Sequence, residues 1–305
     1  MCVMGPLEWL GQHLLGKATD RAIVSGAKFL ASLLPEQDLE KLRLQLNDRF
    51  KDEVEIYCFN QLEPKVHIKG KYSLTSEQMA SAAIYRQQLA ASGRPNDPHA
   101  LLTNDPLWKA DPVNLEVATV DFSEVCALRQ EGLKPQIVSA SGVLLCRENE
   151  DLILHRRGDV ATYPHALHII GGAYMPDGVG VYPDRAGLHS TAVREIHEET
   201  QAHVSVHDTP NMVMAKELST GFIQLVLLGI PVHLKDVDKL SGNWEGQIER
   251  VPFKSLASVL KDPTWVPSGK AHVLAWLGLG APNAKEGQKF GNQTARQLFN
   301  SMLDA

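Results

Sequence analysis

Between residues 136 and 279, short apolar segments of strand length enclose one amphipathic helical segment, an order that few folds accept. The predicted strands lie at residues 137–146, 151–155, 168–170, 203–206, 212–218, 222–232 and 248–251. The predicted helices lie at residues 185–201, 253–260 and 270–279. Strands that enclose a helix, with further helices behind them, predict an α/β/α sandwich, in which helices cover both faces of a mixed sheet.

The first part of the chain is predicted to be a helical extension. Apolar side chains recur at three- and four-residue steps through residues 1–50, as one face of a helix requires. Such a face fits a membrane surface or a partner protein, and helices of this kind more often pack on their own domain. Both interpretations start from the same pattern.

Residues 51–135 are predicted to be a mixed α/β region. Short strands are expected at residues 54–59 and 66–68, and loops at residues 92–98 and 104–112. Thr75, followed by Gln78, has the spacing of a capping box that opens a helix. The predicted organisation is therefore an extension, a mixed region, a core domain and a tail, at residues 1–50, 51–135, 136–281 and 282–305.

Composition argues against several classes of protein. The chain has 305 residues, with 30 Lys+Arg against 36 Asp+Glu and a net charge of −6, which argues against binding nucleic acid through bulk positive charge. The four cysteines form no CxxC pair, so a reducing, cytoplasmic location is expected. No apolar run reaches the roughly 18 residues of a membrane span, so no transmembrane segment is expected.

One helical segment, residues 194–200, carries a chemical pattern. Glu195, Glu198 and Glu199 stand at i, i+3 and i+4, so they share one helix face with Cβ atoms about 5–6 Å apart. Like charges in this arrangement repel one another, and Mg²⁺ or Mn²⁺ removes the repulsion because hard cations prefer carboxylate oxygens. The plainer interpretation is an acidic helix face in water.

The pattern resembles the Nudix hydrolases, whose box reads G-x5-E-x7-R-E-U-x-E-E-x-G-U, with U an aliphatic residue. Its second half is similar to Arg194-Glu195-Ile196-His197-Glu198-Glu199. The segments 152–157 and 168–172 are similar to the strands before the box, and residues 248–260 to the strand and helix after it. The resemblance covers residues 136–279 and implies a Nudix-type sandwich.

The resemblance also implies roles for individual residues. Glu195, Glu198 and Glu199 would be ligands of Mg²⁺ or Mn²⁺, and Glu195 or Glu199 would act as the base on the attacking water. Arg194 would hold a carboxylate in position through a charge-assisted hydrogen bond. A further acid is expected from a late loop, Glu245 in preference to Glu249. Arg157, Gly171 and Gly172 would contact the substrate, and the carbonyl of Gly172 would complete the metal shell.

The sequence departs from the family pattern at several positions. Ala186 stands where the box has its first glutamate, Gln201 where it has a glycine, and Ile170 where a proline usually precedes Gly-Gly. Twenty-two positions separate Gly172 from Arg194 where the pattern has 14, which places an insertion of eight residues within 173–184. These departures leave a second hypothesis open, a non-catalytic Nudix-fold nucleotide sensor or scaffold.

The family's activity implies the substrate class, a nucleoside diphosphate linked to another moiety. The long front half, the lengthened box loop and residues 262–272 are similar to the UDP-sugar branch, which makes a UDP-sugar the leading substrate; ADP-ribose and dinucleotides stay open. Dimers are common in the family, so a homodimer is one expected assembly. A zinc protease is a distant alternative, because residues 197–201 miss the second histidine of HExxH. The histidines that could gather near the helix are His189, His197, His203 and His207.

Overall fold

The computed structural model describes residues 35–60, 62–110, 112–160, 162–176, 187–204 and 211–304. The chain divides into two units, residues 1–39 and residues 40–305. The first unit is described only from residue 35 onward, so most of the predicted helical extension lies outside the described residues. The sheets belong to the second unit.

The main sheet is mixed, and its described strands are β1 (Val54–Asn60), β5 (Val138–Cys146), β6 (Asp151–Arg157), β7 (Leu167–His168), β8 (Ile170–Ala173), β9 (Met212–Glu217), β10 (Ile223–Pro231) and β11 (Gly246–Pro252). Their order is β1-β9-β10-β5-β6-β11, with β7 on β6 and β8 on β5. β5 and β10 run parallel, and the other neighbours run antiparallel.

A smaller sheet precedes the main one. Its strands are β2 (Lys65–Lys71), β3 (Pro98–Leu102) and β4 (Asn114–Asp121), in the order β2-β4-β3. β4 runs parallel to β2 and antiparallel to β3. A single bridge between Leu101 and Ile137 connects this sheet to the chain that enters β5. β1 does not join the small sheet, because it pairs with β9 at the edge of the main one.

Helices cover both faces of the main sheet. The described helices are α1 (Glu36–Arg49), α2 (Ser76–Ala91), α3 (Phe122–Gln130), α4 (Leu188–Thr200), α5 (Leu234–Val237), α6 (Leu256–Val259), α7 (Pro267–Gly278) and α8 (Ala295–Leu303). Side chains of β5 alternate between the two faces, as a strand requires. Val143 and Leu145 pack in the core with α7 and α8, whereas Ala140 and Leu144 pack in the core with α4. The predicted α/β/α class with a mixed sheet is confirmed.

Several local predictions are also confirmed. The predicted hairpin is present, since Leu144 on β5 pairs with Ile153 on β6 in antiparallel register. The capping box opens α2, where the hydroxyl of Thr75 accepts a hydrogen bond from the amide of Gln78 at 3.2 Å. Among the described residues, no helix is long and apolar enough to cross a membrane.

Other local predictions are wrong. The strand expected at 168–170 is interrupted at Ile169 and becomes β7 and β8, which pair with different neighbours. The helix expected at 253–260 is a 3₁₀ turn, Phe253–Ser255, followed by the single turn of α6. Residues 203–204 of another predicted strand are not in a strand, and residues 205–206 are outside the described part. β3, β4, α3 and α8 were not predicted, and β3 begins inside a predicted loop.

Candidate functional site

The site is built on α4, which packs its apolar stripe on the main sheet. Leu188, Ala192 and Ile196 recur every four residues and are fully buried. Gly142 on β5 lies opposite Ile196, and a Cβ at position 142 would come within 3.2 Å of that side chain. This close packing fixes the rotation of the helix, so its glutamates emerge along the edge of the contact with β5 and β8.

The helix ends at Gln201, the position at which the Nudix box pattern has a glycine. Gln201 adopts a left-handed conformation with φ 61°, and its amide donates to the carbonyl of His197. A left-handed residue other than glycine costs roughly 1–2 kcal/mol. The backbone turn expected of a glycine is therefore retained without one.

Arg194 joins the glutamates of this helix to the last residue of β8. Its Nη2 lies 2.8 Å from Oε1 of Glu195, and its Nη1 donates to Oε2 of Glu198 at 2.9 Å. Nη2 also donates to the carbonyl of Ala173 at 3.0 Å. The side chain of Arg194 is buried, so its contact with Glu195 is shielded from water, whereas its contact with Glu198 lies at the surface. The structure thus brings Arg194, Glu195 and Glu198 together.

Gly171 and Gly172, both on β8, lie directly against the acidic face. The amide of Gly171 donates to Oε2 of Glu199 at 3.3 Å. Gly172 faces the carboxylate of Glu195, which occupies the space that a Cβ at position 172 would need. At position 171 a Cβ would overlap Ser141 and Ala140 on β5. Both glycines are therefore required by close approach, one to a carboxylate and one to a strand.

Burial disfavours the charged form of two carboxylates on this face, those of Glu195 and Glu199. It raises the pKa of Glu195 to about 8, against the opposing effect of Arg194. Burial also raises the pKa of Glu199 well above its usual range, and the charge of Glu195 adds to that shift. Glu198 differs from both, because half of its side chain is exposed to solvent. The face combines two buried acids with one at the surface.

Glu245 lies near this cluster, in the loop before β11. Burial raises its pKa, and Arg157, at the end of β6, opposes that shift. Its amide donates to Oδ1 of Asn243 at 2.8 Å, and its carbonyl accepts from the amide of Gly158 at 2.5 Å. Asn243 in turn donates to the carbonyl of Glu198 at 3.4 Å. These bonds tie the loop to α4 and to the end of β6.

Arg157 and Arg156 take different environments, as alternation along β6 requires. Arg157 donates through Nε to the carbonyl of Thr162 at 3.0 Å, and its charge acts on Glu199 and Glu245. Arg156 instead pairs with Glu249, with 2.7 Å between Nε and Oε2. Because Glu249 is engaged in that ion pair, Glu245 is the better candidate for the additional acid.

His155 is a neighbour of the site that the sequence did not reveal. Its Nδ1 lies 3.5 Å from Oε1 of Glu199, and burial lowers its pKa to about 4, so the ring is neutral at pH 7. Gly246, which pairs with Arg157 on β6, leaves no room for a Cβ, because it would overlap the His155 ring and the carbonyl of Arg156. The alternation of β6 places His155 on the same face as Arg157, which is the signal that could have identified it.

The described histidines near α4, which are His189, His197 and His203, are not gathered into a metal centre. His197 and His203 stack with ring centroids 4.5 Å apart, and Nδ1 of His189 lies 3.6 Å from Glu63. Across the part of the chain that the structure describes, no group of three His, Cys, Asp or Glu side chains is already arranged to hold a metal ion. The zinc interpretation therefore gains no support. His207, Ala186 and most of the predicted insertion lie outside the described residues.

The acidic side chains of the site suit a hard divalent cation. Glu195, Glu198, Glu199 and Glu245 supply carboxylate oxygens, and their charges act on one another. Carboxylates are the ligands that Mg²⁺ and Mn²⁺ prefer, so the residues fit in chemistry. In the arrangement observed, Arg194 is bound to two of these carboxylates. A cation would have to share or replace those contacts.

Comparisons with known proteins give distant likenesses of structure. No protein-family model matches the chain, and no curated protein matches its sequence. A MutT protein from Methanosarcina mazei is 18% identical, with a TM-score of 0.33 over 45% of this chain and 91% of that one. The NUDIX domain of Shewanella oneidensis NrtR, solved with ADP ribose, is 14% identical, with a TM-score of 0.31 over 45% of this chain and 83% of that one.

A third structure is a bifunctional NMN adenylyltransferase/ADP ribose pyrophosphatase from Francisella tularensis, solved with AMP and manganese. It is 12% identical, with a TM-score of 0.37 over 50% of this chain and 45% of that one. Proteins with Nudix names are thus among the solved structures that this chain resembles. All three TM-scores lie below 0.5, so the interpretation of the site rests on its own residues.

Proposed function

We propose that this chain is a metal-dependent hydrolase of the Nudix type, which cleaves a nucleoside diphosphate linked to another moiety. The observation that carries the proposal is the acidic face of α4 packed against the two glycines of β8. Glu195 lies against Gly172, and Glu199 accepts a hydrogen bond from Gly171. A structural helix gains nothing from burying like charges together, so a cationic ligand is the simplest reason for them.

Different residues of the site would bind the metal ion and the phosphate. Glu195, Glu198, Glu199 and Glu245 would hold Mg²⁺ or Mn²⁺, with the carbonyl of Gly172. When bound, such a cation neutralises charge on the diphosphate and makes a water molecule more acidic. Arg157, whose charge already acts on Glu199 and Glu245, would bind a phosphate oxygen.

Glu199 is the better candidate for the base that accepts the proton of the attacking water, with Glu195 the alternative. Among the ion pairs of the described residues, Arg194 engages Glu195 and Glu198 and leaves Glu199 without an arginine partner. The contacts of Glu199 are the amide of Gly171 and the neutral ring of His155. Arg194 would keep Glu195 and Glu198 oriented rather than take part in proton transfer.

We take a UDP-sugar as the leading substrate. The support is the resemblance of the long front half, of the lengthened box loop and of residues 262–272 to that branch. Attack of water on the diphosphate of UDP-glucose would give glucose 1-phosphate and UMP. ADP-ribose is the competing substrate within the same reaction class.

The test is a substrate panel with the full chain in Mg²⁺ or Mn²⁺. UDP-glucose, ADP-ribose and a dinucleotide are incubated with wild type, Glu198→Gln, and Glu77→Gln as a matched control on the exposed face of α2. Cleavage by wild type and Glu77→Gln, with a loss of about 100-fold or more in Glu198→Gln, supports the hydrolase. No cleavage of any member of the panel by wild type contradicts it.

A second candidate is a nucleotide sensor that binds without cleaving. The observation that favours it is the double ion pair of Arg194, which already neutralises part of the acidic face without a metal. The alanine at position 186, where the family has a glutamate, points the same way. Nucleotide binding that is independent of metal and unaffected by Glu198→Gln would identify this function.

A further inference from the structure

Trp244 is a large apolar side chain left in water beside the acidic site. Its exposed fraction is 65%, whereas Trp265 is 7% exposed and Trp276 is fully buried. Trp108 is also covered, because its ring stacks on Tyr57 with centroids 4.0 Å apart. Of the four tryptophans in the described part of the chain, Trp244 is therefore the one whose side chain is mostly exposed to solvent.

The backbone around Trp244 is held against the site. Trp244 precedes Glu245 directly, and Asn243, on its other side, binds both the amide of Glu245 and the carbonyl of Glu198. Gly158, which follows Arg157, donates its amide to the carbonyl of Glu245. The ring is thus carried on a loop whose two ends are tied to the acidic helix and to the strand that bears Arg157.

One face of the Trp244 ring is covered by a cation from the front half. The guanidinium carbon of Arg94, in the loop after α2, lies 5.9 Å from the ring centroid. This distance is within the range of a cation–π interaction. With Arg94 over one face and 65% of the residue exposed, the opposite face of the ring remains open to solvent.

We propose that the open face of Trp244 stacks on the base of the nucleotide, with Arg94 supporting the ring from behind. This inference rests on the proposed function and extends it to the part of the substrate that the acidic face does not contact. Every nucleobase presents a π-face, so an aromatic platform binds bases with little sequence preference. The front half of the chain would then contribute to substrate binding through Arg94, in the loop after α2.

A protein partner could also cover an exposed tryptophan, since tryptophan is enriched at interface hot spots. Its neighbours favour the nucleotide. Ser241, Asn243 and Glu245 are polar, so Trp244 is not the centre of an apolar patch in the sequence. A platform of one aromatic ring beside carboxylates and arginines suits a ligand that has a flat base at one end and phosphates at the other.

The experiment measures binding of UMP, AMP and inorganic pyrophosphate to the full chain in the presence of Mg²⁺. The variants are Trp244→Ala, Trp244→Phe, and Leu234→Ala as an exposed apolar control. We expect Trp244→Ala to weaken the binding of UMP and of AMP by about tenfold or more, and Trp244→Phe to retain most of the wild-type affinity. Pyrophosphate has no base, so its affinity should be the same in all variants.

Fluorescence gives a second readout, since a base stacked on Trp244 should quench emission in wild type and not in Trp244→Phe. Unchanged nucleotide affinity in Trp244→Ala, or an equal loss for pyrophosphate, overturns the stacking role. The result of this experiment can be distinguished from a failure of the proposed hydrolase function. Nucleotide binding that depends on Trp244 without turnover supports stacking and contradicts hydrolysis, whereas turnover with an unchanged KM in Trp244→Ala does the reverse.

Discussion

Gly172 lies so close to Glu195 that the carboxylate fills the space of the missing side chain. Glu195 is itself held by Arg194 at 2.8 Å, so it cannot swing away without losing that ion pair. The backbone of β8 and the acid of α4 are therefore fitted to each other. Position 172 is therefore a glycine because the Glu195 carboxylate needs the space, and not because the backbone turns there.

Gly172→Ala tests that fit. The added methyl group must displace Glu195, and overpacking of this kind costs about 1–3 kcal/mol of unfolding free energy. Denaturant unfolding measures the loss, and the substrate panel measures the loss of activity expected to accompany it. In a Gly172→Ala/Glu195→Asp double variant the shorter acid relieves the overlap, so the two stability losses should be less than additive. Fully additive losses would contradict the contact.

The acidic face could be predicted from sequence because its information is local. Glutamates at i, i+3 and i+4 share a helix face wherever that helix packs, and a capping box such as that of Thr75 is complete within four residues. The position of Glu245 depended on the pairing of β11 with β6, which sequence spacing alone does not determine. The interruption at Ile169 likewise depends on which neighbours β7 and β8 find.

Arg194→Ala should destabilise the protein by about 1–3 kcal/mol, because it removes the hydrogen bonds to Glu198 and to the carbonyl of Ala173 as well as the contact with Glu195. Added Mg²⁺ should recover more stability in this variant than in wild type, since a cation can then bind the released carboxylates. The matched control is Arg86→Ala, which removes an exposed pair with Asp121 and should cost less than about 1 kcal/mol. Thermal unfolding with and without Mg²⁺ measures both effects. Equal responses of the two variants would contradict the buried role of Arg194.

Glu199→Gln separates stability from activity. Glutamine keeps an oxygen to accept the Gly171 amide and removes a buried acid whose pKa is raised by burial. We expect the metal-free variant to be more stable than wild type by about 0.5–2 kcal/mol, as often follows when a strained site is relieved. Activity should fall about 10²–10⁴-fold, the range of a lost general base. A variant that is destabilised and fully active would contradict both expectations.

His272 should make the protein sensitive to acid. It is fully buried on α7, neither ring nitrogen has a hydrogen-bond partner among the described residues, and burial lowers its pKa from 6.5 to about 3. As pH falls below about 6.5 the unfolded chain takes up the proton first, so the stability that is fully present above that pH is lost progressively towards pH 3. At pH 5 this one group should lower the free energy of unfolding by about 2 kcal/mol.

His272→Leu should therefore flatten the dependence of unfolding free energy on pH between 7.5 and 5, measured in urea at each pH. Because His155 and His168 are also buried with lowered pKa values, part of the acid loss should remain. A His272→Leu profile that runs parallel to wild type would show that His272 is not the group responsible.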